Sequence, residues 1–178
     1  MKEEVKIGKD YIMADRFWTP VEIDEGNQIA IMQSLGVTKG PWPGYSMPQF
    51  GNNKYYGSDI NHLDISDYNQ ETRLLMDELK PIEGGSLKKG LWLPGTNMMR
   101  LNGNWKNALA RAAGTFFMED YDGHAWIGTT LNKNCAACIG TNRDEDMRFQ
   151  DSSYCIAPAF QLDLSKIEVC GERIVAKK

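Results

Sequence analysis

The sequence predicts an α+β fold, and three observations carry that reading. Strand patterns occupy the first and final thirds of the chain, two helical patterns lie between them, and nothing alternates as βαβ units would. A chain of 178 residues fits one domain, read here as spanning 1–178. A domain of that size buries roughly 70% of the surface its unfolded chain exposes, so neither metal nor disulfide is needed to hold it together. Hydrophobic content of 42% and charged content of 25% are those of an ordinary globular protein.

In chain order, Val5 and Ile7 precede Gly8. Phe17 to Ile23 and Gln28 to Met32 then flank Asp24-Glu25-Gly26-Asn27, an acidic, glycine-containing connection that reads as a hairpin turn. From Gly36 to Gly57 prolines and glycines deny the chain regular structure. Its aromatics (Trp42, Tyr45, Phe50, Tyr55 and Tyr56) imply an ordered long loop that lids the core, or else a stacking surface for sugars or a partner. Asp67 or Asn69 caps a first helix running to about Leu79, with Leu75 and Leu79 on one face and Pro81 beyond its end. A second helix lies within Met98 to Ala113, where Trp105, Leu109 and Ala112 share a face and Gly114 is a suitable terminator.

The final third returns to β with Ala125-Trp126-Ile127-Gly128, a polar loop from Thr129 to Ser153, and a closing strand from Tyr154 to Lys166. In that strand Phe160, Leu162 and Leu164 alternate with Gln161, Asp163 and Ser165, the pattern of a strand with one face inside. Pro158 lacks a backbone donor, so the strand is broken, bulged or at an edge there. Such a strand is expected to return to the sheet that holds the N-terminus.

A formal net charge of −4 and a pI near 5.2 argue against a general nucleic-acid binder, which would present a basic face. The opening Met1-Lys2-Glu3-Glu4-Val5-Lys6 has no apolar core, so no signal peptide is expected, and no window approaches the ~20 apolar residues of a membrane span. The chain is thus expected to be made in the cytoplasm without membrane insertion, its four cysteines reduced.

Chemistry-bearing motifs are scarce. No nucleophile elbow, zincin, P-loop or Rossmann pattern occurs, and the two histidines, His62 and His124, stand far apart, His124 in what reads as a turn. Cys135-Ala136-Ala137-Cys138 could be a redox pair or half a zinc site, but Cys155 and Cys170 do not form a second knuckle and no helix start is evident at the pair. Asp59, Asp64 and Asp67, and again Asp144, Glu145 and Asp146, offer the hard oxygens that calcium requires, without EF-hand spacing. No catalytic residue, metal or cofactor is therefore expected. The polar loop is the stronger candidate for function, because two strand-like segments bracket it and would present it rigidly. It holds Asn132, Asn134, Asn142, Arg143, Asp144, Asp146, Arg148 and Gln150, with Trp126 on the strand that leads into it.

The closing motif, Ser152-Ser153-Tyr154-Cys155-Ile156-Ala157-Pro158-Ala159-Phe160-Gln161-Leu162-Asp163-Leu164-Ser165, resembles the end of a domain family found in gut Firmicutes and their phages. Those domains end in a Tyr-x-Val-Arg-Pro-Ala-[Leu/Phe]-x-Leu-[Asp/Asn]-Leu pattern, and Trp126-Ile127-Gly128-Thr129 echoes an earlier Trp-[Leu/Ile]-x-Ser step. The resemblance covers about Gly123 to Val169 and is weaker over the N-terminal hairpin and Leu91-Trp92-Leu93-Pro94. Ala157 stands where the family usually has Arg, so any role of that Arg is absent.

The resemblance implies a C-type-lectin-like fold, shared broadly with formylglycine-generating enzymes and the target proteins of diversity-generating retroelements. It also implies display on a virion or a phage-like particle, as a non-catalytic binding or decoration module in head or tail. The implied partners are other virion proteins or a host cell-surface ligand such as a carbohydrate, and the module would be a homo-oligomer. Two alternatives stay open: an oxidoreductase like the formylglycine-generating enzymes that uses Cys135 and Cys138, and a prophage-encoded interaction protein.

Overall fold

The computed structural model describes residues 3–13, 16–37, 94–96, 102–115, 123–130, 135–149, 157 and 159–178. Over these the protein is mixed α+β, mostly strand. The strands are β1 (Tyr11–Met13), β2 (Arg16–Asp24), β3 (Ile29–Val37), β4 (His124–Thr130), β5 (Cys135–Gly140), β6 (Glu145–Phe149), β7 (Ala159–Asp163), β8 (Ile167–Cys170) and β9 (Arg173–Ala176). One helix, α1 (Gly103–Thr115), is present among the described residues. The helix expected to end at Leu79 and the loop beyond Val37 lie outside them, as do His62, Asp59, Asp64, Asp67, Cys155 and Pro158.

Strands β2 and β3 form the expected hairpin. The Asp24 carboxylate accepts the Asn27 amide at 3.0 Å and the Asn27 side chain at 2.7 Å, closing the turn. The left-handed residue is Gln28, at φ 56°, rather than the glycine two positions earlier. Pro20 sits inside β2, beyond the short stretch that β1 pairs, and next to a register shift between Pro20 and Glu22. A bulge is where a residue without an N–H can enter a ladder.

The six-stranded sheet runs β7-β3-β2-β1-β9-β8. Strand β7 returns antiparallel beside β3, with Met32 opposite Phe160 and Ala30 opposite Leu162. The closing segment therefore does rejoin the N-terminal hairpin. It stops earlier than its alternation suggests. Asp163 caps a 3₁₀ turn over Leu164–Lys166 by accepting the Ser165 amide at 2.9 Å, so Leu164 is only half-buried and the strand pattern ends at Asp163. The chain then adds a further hairpin, β8 and β9, around Gly171 at φ 66°, and β9 runs parallel to β1. Glycine at the first position of a two-residue turn matches the twist of the strands it joins.

Helix α1 joins this sheet to a second, three-stranded one ordered β4-β5-β6. It packs on β2 and β3 from one sheet and on β4 and β5 from the other. Its buried positions are Trp105, Ala108, Leu109, Ala110, Ala112 and Ala113, so one contiguous core runs through both sheets. Trp18 and Phe160 meet edge to face in that core, ring centroids 4.7 Å apart, a geometry worth about 0.5–1.5 kcal/mol beyond burial.

Asn102 caps the helix. Its Oδ1 accepts the Asn104 amide at 2.9 Å, while its Nδ2 donates to the Val21 carbonyl at 2.8 Å, on the bulge of β2. At the far end Arg111 makes a two-pronged salt bridge to Asp10, one arm at 3.1 Å.

Asn102→Ala removes the cap and the shorter of two side-chain bonds to the Val21 carbonyl, the other coming from Asn104 at 3.3 Å, and is expected to destabilise by about 1–2 kcal/mol, read as a lower urea midpoint at unchanged slope. Asn102→Asp keeps the acceptor and loses the donor, so it should recover only part of that loss. A second test is electrostatic. The side-chain bond from Ser165 is the largest influence holding the Asp163 carboxyl below its ordinary 3.8. A depressed carboxylate stabilises the fold above its unfolded value, and that share is lost as pH falls through the folded value. Asp163→Asn should therefore lower stability at neutral pH and flatten the decline below about pH 4 in urea titrations.

Candidate functional site

The described part of the polar stretch from Thr129 to Ser153 is largely strand. It holds β5 and β6, joined by a tight turn, and this corrects the expectation of a long loop. The misreading has a physical cause. Cys135-Ala136-Ala137-Cys138 is too small and neutral to show alternation, and β6 lies at the sheet edge, where both polar and apolar side chains meet water.

The turn is the best-defined polar feature of this region. The Gly140 amide donates to the Asp144 carbonyl at 3.0 Å, and the Arg143 amide to the Gly140 carbonyl at 3.0 Å. Arg143 takes a left-handed backbone at φ 69°. Inside the turn the Asn142 side chain donates to the Asp144 carboxylate at 2.9 Å and accepts the Asp144 amide at 3.1 Å. Asn142, Arg143 and Asp144 are all exposed. Beneath them Asp146 Oδ1 accepts the Met147 amide at 2.8 Å, and Asp146 Oδ2 lies 4.0 Å from Nε2 of His124. His124 begins β4 opposite Gly140, so it is a strand residue and not the turn residue the sequence suggested.

The remaining sequence-predicted residues divide clearly. Trp126 is fully buried, paired with Cys138, and belongs to the core between the sheets. It offers no surface to a ligand, which corrects its inclusion among the candidates. Arg148 lies on β6, two residues from Asp146. Asn132, Asn134 and Gln150 lie outside the described residues. What the structure brings together is thus Asn142, Arg143, Asp144 and Asp146, with His124 as the member the sequence reading had set aside. No sequence signal marked His124, because its partner strand was not recognised.

The thiol pair does not form a clasp. Cys135 and Cys138 lie on one regular strand, and residues three apart on a strand face opposite sides. Cys138 is fully buried with Sγ 3.7 Å from the Asp146 carbonyl, whereas Cys135 is half-buried. Nor do the carboxylates of the turn converge. Asp144 is held by Asn142, Asp146 by Met147, and Glu145 points to the other face of the strand. Among the described residues no group of three metal-binding side chains is found.

A separate open cleft of about 960 Å³ lies between the N-terminal segment and the C-terminal hairpin. Of its apolar members Val5 and Ile167 are buried and Ile7 is exposed, while the charges around it, Glu3, Glu4, Glu168 and Lys177, are exposed. Solvated charges of both signs around it make this a surface groove. The residues come from both ends of the chain and from the β2–β3 hairpin, and the ends meet through the β1–β9 pairing and the Glu3–Val169 bridge, so no local signal could have disclosed the cleft.

Gly140 is where this region is least tolerant. A Cβ there would meet Asn142 Oδ1 at 2.8 Å and His124 Nε2 at 3.2 Å. Gly140→Ala is expected to destabilise by about 1–2 kcal/mol, as overpacking does, with a clear shift of the His124 ring resonances in NMR spectra. In an Asn142→Ala background the same change should be milder. Equal losses in both backgrounds would show that the turn, and not the side-chain contact, sets the tolerance.

No family model matches the chain, and no significant match appears among the curated proteins or the solved structures.

Proposed function

We propose that the chain is a non-catalytic binding or decoration module of a phage or phage-like particle, with a C-type-lectin-like fold and the β5–β6 turn as its recognition tip. One observation carries the binding part of this reading. Asn142, Arg143 and Asp144 are exposed, yet the turn that holds them is fixed by its own hydrogen bonds on a strand pair whose inner member is buried. A polar tip that is already ordered loses little entropy when it binds, which is what favours a rigid recognition surface. A planar guanidinium beside a carboxylate and an amide suits a polar ligand, a carbohydrate or an acidic protein surface among them.

The particle assignment rests on the closing motif and on Trp126-Ile127-Gly128-Thr129. The fold assignment is compatible with a terminal hairpin returning beside the N-terminal strands in one mixed sheet. The oxidoreductase alternative is disfavoured by the opposed faces of Cys135 and Cys138.

Particles induced from the native host and banded on a density gradient provide the test. The chain should co-band with them at a fixed stoichiometry. The double variant Arg143→Ala, Asp144→Ala should still fold but lose at least about tenfold in binding to host envelope preparations, the scale of a few lost polar contacts. A chain found only in the unbanded soluble fraction would refute the particle role, and undiminished envelope binding by the variant would refute the tip.

A further inference from the structure

We infer that β6 is a self-association edge, through which two copies of this chain pair antiparallel about Met147. The inference does not rest on the binding role proposed above. Strand β6 reads Glu145-Asp146-Met147-Arg148-Phe149 and ends the three-stranded sheet, with no strand on its outer side among the described residues. Met147 and Phe149, two residues apart on one face, are 56% and 66% exposed. Exposed apolar side chains on an open strand edge are the usual substrate for strand addition. The outer edge of the larger sheet at β8 differs, because Glu3 already bridges to Val169 there.

Charge specifies a second copy as the occupant, and the backbone parity of the strand permits it. The Gly140 amide bonds the Asp144 carbonyl, so by the alternation of an antiparallel ladder the backbone of Met147 faces outward, where its amide donates to the Asp146 carboxylate. In an antiparallel ladder Glu145 and Phe149 share that parity. Turning the strand about Met147 sets Met147 against Met147 of the second copy and Glu145 against Phe149, all of them positions whose backbone groups point toward the new neighbour. The same register sets Asp146 against Arg148 twice over, an opposite charge at each place. Centring the pair on Asp146 or on Arg148 keeps the backbone parity but sets like charges against each other at the two-fold axis. Of these three registers only the one about Met147 brings no like charges face to face. The product is a two-fold symmetric pair in which two three-stranded sheets become one of six strands.

Sedimentation velocity over a range of concentrations, with register-specific cross-linking, tests this. The wild type should show a concentration-dependent dimer. Arg148→Asp places like charges opposite one another and should raise the dimer dissociation constant at least about tenfold, and adding Asp146→Arg to it should restore association. In a Cys170→Ser background, Met147→Cys should cross-link to itself under mild oxidation, since facing residues lie about 5.5 Å apart, within disulfide reach. Glu145→Cys and Phe149→Cys should not. A monomer at every concentration, or a dimer that ignores Arg148→Asp and fails to cross-link through Met147→Cys, would overturn the inference.

Discussion

Helix α1 can lie against two sheets at once because most of its buried positions are alanines. Ala108, Ala112 and Ala113 let the helix backbone approach β3, β4 and β5 closely, while Trp105 and Leu109 fill the volume that the alanines leave. Large side chains all round would hold the helix away from one sheet or the other. The asparagine cap then fixes where along β2 the helix starts, through the Val21 carbonyl that the bulge turns toward it. A proline in β2, a bulge beside it and a capped helix are thus one device. Pro20 breaks the ladder, the break frees a carbonyl, and Asn102 uses it.

The parts of this fold that the sequence disclosed are those where burial is one-sided. Phe160 and Leu162 alternate with half-exposed Gln161 and Asp163, and β7 was legible. The Asp24-to-Asn27 turn was legible because an Asx turn advertises itself by residue type. Helix α1 was legible within Met98 to Ala113, but it runs through Gly114, the expected terminator, to Thr115, and its start was hidden because Asn102 is one of two asparagines, with Asn104, that could cap. Strand β4 was legible as a strand, but with Ala125, Trp126 and Ile127 all buried it shows no alternation, so its tryptophan looked available when it is interior. A strand with exposed residues on its edge was not legible. Strand β6 carries exposed Glu145, Met147 and Phe149, so it passed for loop. Strands β8 and β9 were missed because the preceding alternation drew attention past Asp163, where a side-chain cap diverts the chain into a 3₁₀ turn.

The candidate site followed the same rule. Asn142, Arg143 and Asp144 were picked out as polar and bracketed, and they do form an exposed, self-bonded tip. His124 and Gly140 could not be picked out, since their relation exists only across the β4–β5 ladder. That ladder also separates the two thiols. A Cys-x-x-Cys spacing brings sulfurs together on a helix or in a tight turn, and sets them on opposite faces of a strand.

Asp146 connects the tip to the edge. One carboxylate oxygen holds the outward amide of Met147, a common way for an edge strand to withhold a donor, and the other faces His124 at the base of the turn. Pairing about Met147 must displace the first of these bonds before the ladder can form, and the ladder is only five residues long. Such an edge associates weakly in free solution and strongly where copies are held near one another, because a fixed array replaces bulk concentration by a much higher effective one. The same side chain that guards the strand in the isolated chain is then the one that meets Arg148 of the neighbour, so protection and pairing are alternatives available to a single carboxylate.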